Sequence, residues 1–348
     1  MKKNVLIMIV SLMVTNLSFG QDVVQSEEKK SLVVSGFADV YYQYALKKTA
    51  TPTSFTEQPN SFTLGMASVK LEKTVKNVGL VADLGWGPRA ENANGSIGTS
   101  LASIKQLYLT YSPSEKLKFT FGNFFTFVGY EVVDAPMNSN YSMSYGFSKG
   151  PFFHTGLKAD YVFNENWSAL LGVFDETDKK FDIDGPRNVG GQITYSKGKV
   201  KILAAYLAGK VSEDSTGLVN QQGDLTATFQ ANDKCLLALN VSKKFYLREN
   251  TATSSWTTLA AYQNYAFNDK FSLALREEVF LDNHGEALGT SDNSIFAATL
   301  SGIYKINDLK LITEFRLDHS NKNSFQDSRK NTATNQLPVF LFAAVYAF

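Results

Sequence analysis

The stretch Leu309-Lys310-Leu311-Ile312-Thr313-Glu314-Phe315-Arg316-Leu317-Asp318-His319 alternates in character from one residue to the next. Successive side chains of a strand point to opposite sides. Leu309, Leu311, Thr313, Phe315 and Leu317 therefore share an oily face, and Lys310, Ile312, Glu314, Arg316 and Asp318 a wet one. Immediately before it stands Asn307-Asp308, and before that a second alternating run over 294–306. Asn and Asp tolerate the left-handed conformations that a two-residue hairpin turn requires, so the two runs read as antiparallel neighbours.

The same arrangement recurs outward along the chain. Segments of membrane-spanning length, about sixteen from 32–46 to 336–348, are joined by connections that are alternately short and long. The short ones, 75–77, 113–116, 164–166, 197–198, 231–234, 268–270 and 307–308, carry Asn, Asp, Gly or Pro. The long ones, such as 47–61, 87–101, 127–151 and 320–335, are rich in Asn, Ser, Thr and Gly. In the segment at 152–163, Phe153, Leu157, Ala159, Tyr161 and Phe163 oppose His154, Lys158, Asp160 and Val162. Alternation alone would suit a soluble sandwich as well. Nearest-neighbour hairpins of this number, with short turns at one end and long loops at the other, close on themselves and leave no edge. The expected fold is all-β: a transmembrane antiparallel up-and-down β-barrel of about sixteen strands, with short periplasmic turns and long extracellular loops.

Composition and the N-terminus agree. Lys2 and Lys3 precede an apolar run over 5–14 and then Ser18-Phe19-Gly20, which reads as a signal peptide, residues 1–20, cut after Gly20. Residues 21–31 read as a short periplasmic tail and 32–348 as one barrel domain. Gln21, rather than cysteine, follows the cut, which argues against a lipid anchor. The remainder holds no second apolar run long enough for a membrane helix. A mean hydropathy of −0.15 beside 26 Phe and 16 Tyr suits strands that are oily on one face, with aromatics gathered at the membrane interfaces. The near balance of 34 Lys plus Arg against 33 Asp plus Glu leaves no footprint for nucleic acid. The lone Cys235 reads as an ordinary strand residue. Phe340, Phe342, Ala344, Tyr346 and Phe348 alternate to the end, and Phe342, Tyr346 and Phe348 resemble the C-terminal signal read by the outer-membrane barrel assembly machinery.

Further words carry a family resemblance: Gly122-Asn123-Phe124-Phe125-Thr126, Gly129-Tyr130-Glu131, the runs 138–145 and 151–156, and the opening Ser35-Gly36-Phe37-Ala38-Asp39-Val40-Tyr41-Tyr42. They resemble the OmpL-like β-barrel porin family, also called the second barrel-porin family, over most of the mature chain. The resemblance implies an outer-membrane porin and brings no catalytic residues.

A barrel of this strand number is wide enough for an aqueous channel. The expectation is passive diffusion of small hydrophilic solutes and ions through the outer membrane. The loop 127–151, third of the long ones, is expected to fold inward and narrow the pore, with Glu131 and Asp134 presenting negative charge. Opposite it, Lys118, Lys158, Arg276, Lys310 and Arg316 are expected on the inner wall, offset by Asp160, Glu278, Glu314 and Asp318, a mixture that gives weak ion preference. Outer-membrane lipid, the assembly machinery, the solutes and a homo-trimer are the expected partners. A transporter selective for sugars or hydrophobic compounds, and a closed structural or adhesive barrel, stay open as alternatives. An enzyme is not expected. His154, His284 and His319 sit in no nucleophile motif, Gly-x-Ser-x-Gly is absent, and no metal-ligand spacing or cofactor fingerprint occurs.

Overall fold

Each turn foreseen in the sequence joins two strands in the computed structural model, which describes residues 31–348 apart from 96, 184, 213 and 215. The expected signal peptide and nearly all of the expected tail lie outside the described residues. Fifteen strands follow in order: β1 (Val33–Ala45), β2 (Phe62–Val75), β3 (Val78–Trp86), β4 (Ile104–Ser114), β5 (Leu117–Phe125), β6 (Phe153–Val162), β7 (Trp167–Phe174), β8 (Asn188–Lys197), β9 (Val200–Lys210), β10 (Val219–Asn232), β11 (Cys235–Leu247), β12 (Ser254–Ala266), β13 (Phe271–His284), β14 (Ser291–Ile306) and β15 (Leu309–Ser320). A small hairpin of β16 (Phe325–Asp327) and β17 (Thr332–Thr334) precedes the last strand, β18 (Gln336–Ala347). Strands β1 to β15 pair antiparallel with their sequence neighbours, and β18 fits between β15 and β1 to close a sixteen-strand barrel. At the seam Phe37 faces Ala347 and Ala45 faces Val339, and Gly36 and Phe348 exchange two backbone hydrogen bonds of 3.0 and 2.9 Å.

Burial identifies the two sides. In β15, Glu314, Arg316 and Asp318 are buried, whereas Phe315 is 40% exposed. A soluble sandwich would do the reverse. Oily residues turned outward and charged residues turned inward fit a wall with lipid outside. The hairpin turns take their left-handed residues where the sequence supplies them, with φ of 53° at Asn307, 54° at Lys76 and 59° at Gly198.

Three details depart from the sequence reading. Strand β10 begins at Val219 rather than at residue 223, because Val219 to Gln222 continue the ladder to both neighbours. The connection 320–335 carries β16 and β17, and that at 87–101 carries a short helix, α1 (Pro88–Asn94), started by proline. Strand β18 is apolar on both faces: Leu337, Val339, Leu341, Ala343 and Val345 are buried inside, while Phe340, Phe342 and Tyr346 are exposed outside. An oily inner face on a barrel strand needs something other than water against it.

Candidate functional site

What covers that face is the third long loop, between β5 and β6. It contains the five-residue helix α2 (Tyr145–Lys149), whose N-cap Ser144 accepts a hydrogen bond from the Phe147 N–H. Val133, Ala135, Tyr141, Met143 and Phe147 from the loop form one buried cluster with Phe37, Tyr41, Leu341, Ala343 and Val345 of the wall. Tyr145 joins a second cluster with Trp256, Phe280, Leu337 and Val339.

The polar half of the docking is made by wall side chains that reach the loop backbone. Glu278 Oε2 accepts the Tyr145 N–H at 2.8 Å, and Oε1 accepts the Gly146 N–H at 2.7 Å and the Thr258 hydroxyl at 2.8 Å. Glu314 accepts the Tyr141 N–H at 2.9 Å and the Ser301 hydroxyl at 2.8 Å. Arg276 donates to Glu131 at 2.6 Å, to the Ser142 carbonyl at 2.6 Å and to Thr299 at 3.1 Å. Arg316 forks onto Asp318 at 2.7 and 3.0 Å and reaches the Met143 carbonyl at 2.7 Å. The Tyr145 hydroxyl donates to Asp318 at 2.8 Å and that of Tyr141 to Asp39 at 2.5 Å. Carboxylates can only accept when ionised and guanidinium groups can only donate. Glu278, Glu314, Arg276 and Arg316 each meet a loop backbone group of the opposite kind, and Asp318 meets Arg316 and the Tyr145 hydroxyl, which is how so much buried charge is accommodated.

Glu131 is buried in this network, and its second oxygen takes both the N–H and the hydroxyl of Ser144, at 2.8 and 2.6 Å. Asp134 pairs with Lys105 at 2.7 Å, and Lys105 also meets Asp83 at 3.1 Å. Burial pushes the Asp134 carboxyl above its ordinary value, with the Lys105 ammonium pulling the other way. Gly146 sits so close to β12 that a Cβ there would lie 2.6 Å from the Thr258 methyl.

The expected wall residues thus fall into two groups. Arg276, Glu278, Glu314, Arg316 and Asp318 do face inward, but they lie under the loop and hold it, with none more than 1% exposed. The sequence reading stood these charges across water from the loop; the structure seats the loop directly on them. Lys118 is exposed, and Lys158 and Asp160 pair with each other at 2.9 Å on β6. Lys310 bridges the two regions, donating to the Pro136 carbonyl at 2.5 Å. The sequence reading missed Asp39, Arg89 and Lys105. Arg89 is buried, stacks on Phe55 and Tyr141, and donates to the Val133 carbonyl at 3.3 Å. The doubly apolar alternation of β18 was the available signal that this wall is covered.

His154 is buried, contacts Thr126 at 3.0 Å and packs among Phe124, Phe127 and Phe174. Among the described residues, no group of three or more His, Cys, Asp or Glu is placed to hold a metal ion. No helix among them is long and apolar enough to cross a membrane.

Comparison with known proteins follows this architecture. The sequence profile of the family described as Putative beta-barrel porin-2, OmpL-like, matches residues 31–348. No curated protein matches the chain. Among solved structures, the outer membrane channel DcaP of Acinetobacter baumannii superposes with a TM-score of 0.64 at 15% identity, covering 91% of this chain and 97% of that one. The anion-selective porin from Comamonas acidovorans gives 0.65 at 11% identity, over 91% and 99%. The trimer form of OmpT from Vibrio cholerae gives 0.59 at 12% identity, over 91% and 99%.

Proposed function

Given that the chain belongs to the OmpL-like β-barrel porin family, we propose that it is an outer-membrane channel for passive diffusion of small hydrophilic solutes and ions, narrowed by its third loop. The observation that carries the reading is the docking of that loop. Backbone N–H groups from Tyr141 to Gly146 are captured by wall carboxylates Glu314 and Glu278, so the segment is held inside a barrel whose strand number gives an aqueous lumen. The segment 141–147 packs on β12–β15, β18 and β1, while Phe127 and Val128 at the start of the loop meet β6 to β9 and Asp134 meets Lys105 of β4; the solute path we infer runs past Lys118, Lys158 and Asp160.

Residues 1–20 act as the export signal, and Phe342, Tyr346 and Phe348 as the assembly signal. A homo-trimer in outer-membrane lipid is the assembly we infer, in keeping with the trimer form described for OmpT of Vibrio cholerae.

Single-channel recording of the folded protein in a planar bilayer tests the proposal. Ohmic steps are expected, and removing residues 137–148 should enlarge them. Unchanged conductance after the truncation would refute narrowing by the loop. Block by an added sugar or fatty acid would turn the reading to a substrate-selective transporter, and silence from a folded barrel to a closed structural one.

A further inference from the structure

Docking the loop sorts the charge of the inner wall. The acidic residues it covers, Asp39, Glu278, Glu314 and Asp318, are withdrawn from water together with Arg276 and Arg316, and the loop's own Glu131 goes with them. What the lumen retains in its periplasmic half is different. Following the pairing from strand to strand, the inward positions there carry Lys70 and Glu72 on β2, Lys118 on β5, Lys158 and Asp160 on β6, Lys201 on β9, Lys305 on β14 and Lys310 on β15. Lys70 is paired with Glu72 at 3.0 Å and Lys158 with Asp160 at 2.9 Å. Lys118, Lys201, Lys305 and Lys310 form no ion pair among the described residues, Asp160 across the ladder from Lys118 being held by Lys158, and the first three are exposed.

These four lysines share one level. Lys118 lies just after the turn into β5, Lys201 just after the turn into β9, and Lys305 and Lys310 flank the turn between β14 and β15. They surround the periplasmic mouth. The turns themselves contribute almost nothing net, with Lys76, Lys116, Lys197, Lys199, Lys234 and Lys270 set against Glu115, Glu165, Asp233, Asp269 and Asp308.

We propose that this channel prefers anions, its selectivity set by the lysines at the periplasmic mouth that remain unopposed once the loop has buried the acidic wall. The inference rests on the porin reading and names the solute class for it: small anions. A chain with a net charge of +1 thereby gains a cationic passage. Charged clefts with low-dielectric walls reach potentials of at least about one kT per unit charge, which enriches anions and depletes cations by about 2.7-fold each, or roughly sevenfold in the ratio.

The test is the reversal potential of the full-length folded protein across a tenfold gradient of potassium chloride. Chloride over potassium selectivity of about sevenfold is expected near 0.1 M salt, rising near 0.01 M, where the screening length reaches about 30 Å. The triple variant K118Q/K201Q/K305Q, which leaves the loop contact of Lys310 intact, should retain its conductance steps while the ratio falls toward one. A cation-selective or unselective wild type, or a triple variant with unchanged reversal potential, overturns the proposal. A folded barrel that gives no steps at all refutes the porin reading, and with it this inference.

Discussion

Replacing Arg276 by alanine removes the cation that pairs with Glu131 and the donor to the Ser142 carbonyl, at a position with no exposure to water. Breaking a buried ion pair by removing one partner costs about 3–5 kcal/mol, because the surviving charge stays buried. Here the cost falls on loop docking and not on the barrel, since the β13 ladder to β12 and β14 is backbone. At about 1.4 kcal/mol per decade, the undocked population should rise roughly 100- to 4,000-fold. Single-channel records should then show larger and noisier steps, and protease should cut within 127–151, while the heat-modifiable gel shift of the barrel stays. The double variant E131Q/R276M removes both charges, and most of the loss should be recovered, since a buried pair replaced as a whole is close to neutral. Conductance and protease resistance unchanged in R276A would refute the view that this network holds the loop.

Gly146→Val should act at the same contact by crowding, because even a Cβ meets Thr258 at 2.6 Å. A penalty of about 1–3 kcal/mol is expected, read as increased hydrogen exchange at Tyr145 and Phe147. In the connection after β7, burial pushes the Asp178 carboxyl up to about 6, against the backbone N–H groups of Phe152 and Phe153 that it accepts. The folded form therefore holds this proton up to about pH 6, whereas an unfolded aspartate releases it near pH 3.9. Its contribution to stability should fall as pH rises between those values and stay flat above, and Asp178→Asn should abolish the slope in exchange protection of Phe153. Phe348→Ala should lower the amount of barrel assembled in cells while leaving refolding in detergent intact, measured by the heat-modifiable band in each case.

How far the fold was legible is clear from β15. Its alternation, and the Asn307-Asp308 turn before it, are local signals of period two and of turn chemistry, and the ladder followed them. The docked loop was not legible in that way. Glu131 and Arg276 are 145 residues apart, and nothing in either neighbourhood announces the other. Period-two reading placed Arg276, Glu278, Glu314 and Arg316 on the inner face correctly, but a strand pattern is blind to whether water or a loop lies beyond that face. Lys105 and Arg89 were missed because they stand at the edges of an irregular connection, where no periodicity assigns a side. The strand β18, oily on both faces, was the exception, since two apolar faces cannot both be explained by lipid.

The loop anchors also constrain the order in which the molecule can be built. The docked segment ends by Lys149, while five of the charged groups that hold it, Arg276, Glu278, Glu314, Arg316 and Asp318, belong to β13 and β15, near the end of the chain. A nascent chain presents the loop long before its seat exists. Docking must wait until those strands have paired, and the seam between β1 and β18 then encloses the loop. Contacts this distant in sequence are slow to form, so lumen filling and closure of the ring should finish together as the final kinetic phase of folding.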